Sequence, residues 1–127
     1  MSSVWTDEEL RGIGSATEVR IASRRPDGTL RPSVVIWGVR SGSGIFVRSA
    51  YGPGNGWFRR AVQSGEGRIA AGGIERDVTF EQLDPGSPVQ ADIDAAYHAK
   101  YDSYGPKIVG SVVGPAAAGV TIQVLPS

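Results

Sequence analysis

Short segments with strand patterning, several of them joined by glycine turns, run through this sequence. Gly72-Gly73 gives a strong two-residue hairpin signal, and apolar and charged residues alternate in the segment that follows it. We predict six strands, at 18–24, 33–39, 45–50, 67–71, 74–83 and 120–125. Because most of these strands are joined as hairpins, they favour an antiparallel sheet over a doubly wound parallel one.

The apolar run at 33–39 predicts a strand that is buried on both faces, and we expect it in the middle of the sheet. Connecting helices are indicated by a capping-box spacing at Thr6-Asp7-Glu8-Glu9, by the pattern at 57–64 before Gly65, and by an apolar face over 89–104. A chain of 127 residues is expected to form one domain, residues 1–127. The prediction is therefore an α+β protein with a six-stranded antiparallel barrel.

Charge balance and rare residue types exclude several classes of function. The chain has 13 basic and 13 acidic residues, so no net charge would attract it to nucleic acid or to a membrane. The absence of cysteine excludes disulfides and thiolate chemistry, and the single histidine, His98, cannot form a multi-histidine metal site. The sequence shows neither a leader pattern nor a run of ~20 apolar residues. We expect a cytoplasmic protein without a metal, acting on a small molecule.

A glycine-rich loop before the helix predicted at Trp57 is a candidate anion site. Backbone N–H groups of residues 54–57 would lie at the helix N-terminus, where unpaired donors and the helix dipole favour a phosphate. Arg48, Arg59 and Arg60 are close in sequence and would add positive charge. The same pattern is equally typical of a simple turn beside a solvated basic surface.

Aromatic and titratable side chains supply a second set of candidates. Trp37 and Trp57 could stack on a planar ring, although a tryptophan in a strand more often belongs to the core. His98 lies four residues from both Asp94 and Asp102, a spacing that would favour its charged form and make it a proton donor. An exposed, ion-paired helix face is the commoner meaning of such spacing.

Tyrosines on the long predicted helix complete the candidate catalytic residues. Tyr97, Tyr101 and Tyr104 occur at helical spacing, which is typical of packing residues, but a tyrosine on a pocket wall can also donate a proton. We take Tyr97, Tyr101 and His98 as the candidate catalytic residues. Ser49 has no partner triad, so hydrolase chemistry is unsupported.

Most of the chain resembles known split-barrel proteins. The segment 47–73 reads VRSAYGPGNGWFRRAVQSGEGRIAAGG and is similar to the core of the split-barrel reductases, which include pyridoxamine-phosphate oxidases, small flavin reductases and deazaflavin-dependent nitroreductases. The preceding IASRRPDGTLRPSVVIWGVR resembles their first hairpin. The segments TDEELRGIG, AAYHAKYDSYGP and VGPAAAG are similar to a bacterial family, domain of unknown function 2255.

This resemblance implies a split barrel that dimerises around a cofactor, either FMN or the 8-hydroxy-5-deazaflavin coenzyme. The protein would then be a flavin- or deazaflavin-dependent oxidoreductase acting on a small organic substrate. The residues expected to hold the cofactor are Arg48, Ser49, Tyr51, Asn55, Gly56, Trp57, Arg59 and Arg60. Tyr51 stands where the deazaflavin reductases commonly have a lysine. That departure keeps open a cofactor-free pocket that binds a small molecule or catalyses an isomerisation or cyclisation by acid or base chemistry.

A homodimer is also expected from the size of the chain. A small barrel filled by its own side chains leaves little interior for a ligand, so a groove would require a second copy. The alternative is a monomer in which the helix at 89–104 folds back over the barrel and covers its apolar surface.

Overall fold

The computed structural model describes residues 4–50, 52 and 54–127. Its strands are β1 (Val19–Ser23), β2 (Val34–Ile36), β3 (Gly38–Ser41), β4 (Gly44–Arg48), β5 (Glu66–Ala71), β6 (Ile74–Gln82) and β7 (Thr121–Pro126). Its helices are α1 (Asp7–Ser15), α2 (Gly56–Ser64), α3 (Val89–Tyr101), α4 (Pro106–Val109) and α5 (Pro115–Ala118), with a 3-10 turn at Asp102–Tyr104.

The seven strands form one antiparallel sheet in the order β2-β1-β5-β6-β7-β4-β3. The two edge strands, β2 and β3, are consecutive in the chain and are separated by Trp37 alone. Covalent continuity therefore brings the two edges of the sheet together, and the sheet curls into a nearly closed barrel. The predicted α+β class and antiparallel barrel are confirmed, with seven strands instead of six.

The extra strand comes from the apolar run at 33–39, whose prediction as one central strand is wrong. Its first half pairs with β1, where Val19 faces Ile36, and its second half pairs with β4, where Gly38 faces Val47. A Cβ atom on Gly38 would lie 3.1 Å from Val19 Cγ2 and 3.2 Å from Val47 Cγ1. The missing side chain at Gly38 thus lets the chain cross between two strands at the seam of the barrel.

Two apolar clusters stabilise this architecture. The larger lies inside the barrel and is closed by α1 and α2, which contribute residues such as Ile13 and Phe58. The smaller lies between α3 and the outer side of β3 and β4, where Tyr97, Tyr101 and Ile93 pack against Val39. The long helix therefore covers one outer face of the barrel.

The helix boundaries follow the predicted signals. Glu9 N–H donates to Thr6 Oγ1 (3.1 Å) and Thr6 N–H donates to Glu9 Oε1 (2.9 Å), so the capping box is formed. Gly65 ends α2 with a φ of 71°, a left-handed conformation that glycine adopts without strain. None of the helices in the described ranges is long and apolar enough to span a bilayer.

Candidate functional site

An apolar pocket of 340 Å³ opens beside the seam of the barrel, where β2 passes into β3. The start of α2 forms a second wall, and the segment containing α4 forms a third. Both tryptophans singled out in the sequence line it. The lining residues are Val35, Ile36, Trp37, Arg48, Ala50, Asn55, Trp57, Ile108, Ser111 and Val112. Its volume is within the range of small-molecule sites.

Trp37 is held rigidly at the seam. Its ring stacks on Tyr101, with centroids 4.0 Å apart and planes inclined by 7°, and Tyr104 packs against it at 5.4 Å. The Trp37 carbonyl accepts a hydrogen bond of 3.1 Å from the Tyr97 hydroxyl. Trp37 thus belongs to the packing against α3 and also presents part of its surface to the pocket, so the two predicted roles coexist.

The loop between β4 and α2 positions the opposite wall. Ser49 is buried, and its Oγ donates to the carbonyl of Gly52 (2.6 Å) while accepting from Asn55 Nδ2 (3.1 Å). Asn55 Nδ2 also donates to the Ala50 carbonyl (2.6 Å). These bonds hold Asn55, and with it Trp57 two residues later, at the wall of the pocket. Ser49 therefore acts by shaping the loop.

Tyr51, predicted as a cofactor contact, lies outside the described residues. The N-terminus of α2, predicted as an anion site, is formed as expected at Gly56, but Asn55 makes no side-chain cap bond to it. The guanidinium of Arg60 lies close to this end of the helix. A Cβ atom built on Gly56 would be only 2.7 Å from Arg60 Nη1. Arg59 is exposed to solvent.

Arg48 lines the pocket as predicted, but its guanidinium is bound inside the protein. Its side chain is buried, and all five of its N–H donors have partners inside the protein. Nε donates to Thr121 Oγ1 (2.9 Å), Nη1 donates to Asp94 and to the Val112 carbonyl (2.8 Å), and Nη2 donates to Gln90 Oε1 (2.7 Å) and O (3.3 Å). Arg48 therefore ties β4 to α3 and leaves no donor for a phosphate.

The predicted catalytic tyrosines are likewise structural. The Tyr97 hydroxyl accepts from the Arg48 backbone N–H (3.1 Å) and donates to Trp37, and the Tyr101 hydroxyl donates to the Thr17 carbonyl (2.8 Å). Burial raises the pKa of Tyr97 far above its ordinary value and raises the pKa of Tyr101 to about 12. Neither hydroxyl is available to a ligand, because each is buried and engaged with the backbone.

His98 lies on the exposed face of α3. Its Nδ1 is 2.8 Å from Asp102 Oδ1, while Asp94, the other predicted partner, is bound to Arg48. The prediction that His98 sits between two carboxylates therefore does not match the structure, because the buried guanidinium takes one of them. The structure does not bring His98, Tyr97 and Tyr101 together at the pocket.

A second concave surface was not anticipated from the sequence. It has a volume of 420 Å³ and lies between the β1–β2 connection and α2. Its lining residues are Arg24, Arg25, Pro26, Arg31, Arg60, Gln63, Ser64 and Glu66. The available signal was the turn at Pro26-Asp27-Gly28, because a tight turn brings the arginines on its two sides together.

Residues 9–124 match the model of a family described as an uncharacterized protein conserved in bacteria, DUF2255. The chain belongs to this family. Among curated proteins, none matches this DUF2255 sequence significantly.

Solved structures share the fold of this DUF2255 protein. An F420 reductase superposes with a TM-score of 0.60 at 16% identity, over 97% of this chain and 96% of that chain. A FAD-binding protein from Mesorhizobium loti superposes with a TM-score of 0.55, also at 16% identity, over 98% of this chain and 91% of that chain. At this identity the similarity establishes the split-barrel architecture. Within the described part of the DUF2255 chain, no three acidic or histidine side chains cluster as metal ligands would.

Proposed function

We propose that this DUF2255 protein is an oxidoreductase that binds FMN or an 8-hydroxy-5-deazaflavin coenzyme in the pocket between Trp37 and Trp57 and acts on a small organic substrate. The observation that carries the proposal is the pair of indoles at the rim of an apolar pocket at the barrel seam. The split-barrel fold, shared with an F420 reductase and a FAD-binding protein, supports it.

The lining residues fit a conjugated ring. Large aromatic side chains favour offset or edge contacts with such a ring, and Trp37 is already fixed by its stacking on Tyr101. Asn55 uses its amide nitrogen on Ser49 and Ala50, so its Oδ1 can accept from the ring N–H that flavins and deazaflavins share. When bound, the coenzyme would supply hydride transfer, and these residues would orient it and exclude water.

Acid or base catalysis without a cofactor has less support. The side chains on which it would rest are Tyr97, Tyr101 and His98, and two of them are buried away from ligand while the third is exposed on another face. An apolar binding pocket without chemistry remains the second candidate. Among the described residues that line the pocket, Arg48 alone is charged, and its donors are bound inside the protein, which favours this candidate.

The binding affinity of a Trp57 variant tests the proposal. FMN and the deazaflavin coenzyme are titrated separately into the protein, and the binding is followed by coenzyme fluorescence. We expect at least one to bind at micromolar concentration and Trp57→Ala to weaken it by about tenfold, since a stacking surface is lost. Val62→Ala, at an exposed position on the same helix, is the matched control and should bind normally. Failure of both coenzymes to bind at tens of micromolar would contradict the proposal.

We also propose a homodimer whose interface closes this pocket. Val35 and Ile108 line it, and each is 45% exposed in a single chain. Apolar residues at the mouth of a pocket are typical of an association surface. Light scattering should give about twice the monomer mass of 13.3 kDa, and Val35→Asp should lower it. A wild-type mass of one chain at micromolar concentration would contradict the dimer and favour the monomer in which α3 alone covers the barrel.

A further inference from the structure

A cleft between α1 and α3 contains Lys100, the more buried of the two lysines in the chain. This surface, the lysine cleft, has a volume of 480 Å³. Its lining residues are Leu10, Arg11, Gly14, Ser15, Val39, Arg40, Ala96, Ala99 and Lys100. Among the described residues, none lines both this cleft and either the tryptophan pocket or the basic groove between the β1–β2 connection and α2. Chemistry in the lysine cleft is therefore independent of coenzyme binding.

The amine of Lys100 is held in a fixed orientation. Its nitrogen is tetrahedral, and one position is the bond to its own Cε. Two others point at carbonyl oxygens, because Nζ donates to the carbonyl of Gly38 (2.6 Å) and to that of Ile13 (3.5 Å). The ring of Tyr101, whose centroid is 5.1 Å from Nζ, is too distant to accept a hydrogen bond from the fourth. That position therefore carries either the third proton of the ammonium or the lone pair of the free amine.

The surroundings of Lys100 favour the free amine. In the part of the chain that the structure describes, no carboxylate pairs with this side chain. Burial lowers the pKa of Lys100 from 10.5 to about 8. At pH 8 about half of the side chain is then uncharged, against roughly 0.3% for a lysine that keeps its ordinary pKa. Lys107, the other lysine, is exposed to solvent on α4.

The other groups of the cleft suit a reactant that is apolar before the reaction and anionic after it. Arg11 and Arg40 supply two guanidinium groups, and no described carboxylate lines the cleft. Arg40 Nε donates to the Gly42 carbonyl (2.9 Å), which leaves both of its Nη groups without a protein partner among the described residues. The apolar part of the lining is formed by Leu10, Val39, Ala96 and Ala99.

We propose that Lys100 is a modification site at which the free amine takes up carbon dioxide as a carbamate paired with Arg11 and Arg40. The amine lone pair forms a bond to the carbon of CO2, the electron pair of one C–O π bond moves to oxygen, and the nitrogen loses one proton to water. The product keeps one N–H, which can still donate to the Gly38 carbonyl. Its carboxylate matches the forked donors of a guanidinium group.

Carbon-13 NMR of the full chain equilibrated with labelled bicarbonate at pH 8 tests the proposal. The carbamate carbon has its own resonance, separate from those of bicarbonate and dissolved CO2. We expect one lysine carbamate signal, which is lost in Lys100→Arg and kept in the matched control Lys107→Arg. A carbamate on the α-amine would persist in both variants and serve as an internal reference.

The two arginines are tested in the same spectrum. At fixed bicarbonate, Arg11→Gln and Arg40→Gln should each lower the carbamate signal about threefold or more, because the anion loses a partner. Arg59→Gln removes the same charge from an exposed position on α2 and should leave the signal unchanged. Unchanged signals in both Arg11→Gln and Arg40→Gln would overturn the assignment of these arginines to the carbamate.

A second measurement needs no variant, since a substitution at Lys100 also removes its bonds to the barrel seam. An oxonium reagent converts the carbamate of the wild-type protein into a stable ester, and peptide mass spectrometry locates it. We expect the ester on Lys100. No lysine carbamate signal, a signal that persists in Lys100→Arg, or an ester on Lys107 alone would overturn the proposal.

Discussion

At the scale of single residues, some side chains that the sequence predicts as functional are buried and hydrogen-bonded within the fold. Arg48 lies near the end of a predicted strand, shortly before a glycine loop, which is where an anion-binding arginine would be expected. Its actual partners, Gln90, Asp94 and Thr121, are 42, 46 and 73 residues away, so no local pattern could reveal them. Asn55 and Trp57, in contrast, were predictable because the loop that positions them is local.

Removing Arg48 should strongly destabilise the protein. Arg48→Ala removes the donors that Arg48 supplies to the buried Thr121 Oγ1 and to the Val112 carbonyl, and it breaks the ion pair with Asp94. We expect a loss of roughly 3 kcal/mol in the free energy of unfolding, measured by urea denaturation. Arg59→Ala, which removes the same charge from an exposed position, should change that free energy by less than about 0.5 kcal/mol. Equal stability of the two variants would contradict the structural role of Arg48.

At the scale of elements, local signals located the hairpin at Gly72-Gly73, the capping box and α2 correctly. The run at 33–39 was interpreted wrongly because hydrophobic periodicity reports burial and carries no information about which strand is the neighbour. Trp37 divides that run, and its two halves pair with strands at opposite ends of the sheet order. Only the closure of the barrel explains why both halves are apolar.

A side chain at Gly38 should disturb this closure. Gly38→Val places new atoms against Val19 and Val47, which a single Cβ would already approach at 3.1 and 3.2 Å. We expect a loss of about 1–3 kcal/mol in the free energy of unfolding from overpacking at the seam. Gly54→Ala is the control, because nothing lies within 4 Å of a Cβ there, and its stability should be unchanged or slightly higher. A stable Gly38→Val protein would argue against the tight crossing.

The contact of α3 with the seam predicts a pH dependence. Burial lowers the pKa of Lys100 to about 8, and its Nζ donates to the Gly38 carbonyl (2.6 Å). Because the folded pKa lies below the ordinary value of 10.5, the unfolded chain binds more protons between these two values, and folding becomes more favourable as pH rises through that window. Urea denaturation from pH 7 to 10 should show the wild type gaining stability relative to Lys100→Met. A constant difference between the two proteins would contradict the lowered pKa.

At the scale of the whole molecule, an apolar pocket and a basic groove lie near opposite ends of α2, in a chain without net charge. The barrel class could be predicted from strand and turn patterns, and Trp57 and Asn55 from their loop. The pocket and the groove could not, because both depend on the closure that brings β2, β3 and the β1–β2 turn beside α2. We therefore propose that ligands bind at surfaces made by tertiary structure, whereas the buried polar network around Arg48 supports the fold.

The indole N–H resonances of the three tryptophans would report directly on coenzyme binding between Trp37 and Trp57. Trp37 and Trp57 line the pocket, whereas Trp5 is buried in the barrel core with its Nε1 donating to the Val124 carbonyl (3.2 Å), so it serves as an internal control. A ring bound between two indoles shifts their proton signals through its ring current. In a two-dimensional nitrogen–proton spectrum recorded during titration with FMN or the deazaflavin coenzyme, we expect large saturable shifts of the Trp37 and Trp57 signals and a stationary Trp5 signal. Stationary signals from all three tryptophans at saturating coenzyme would contradict binding of the ring in this pocket.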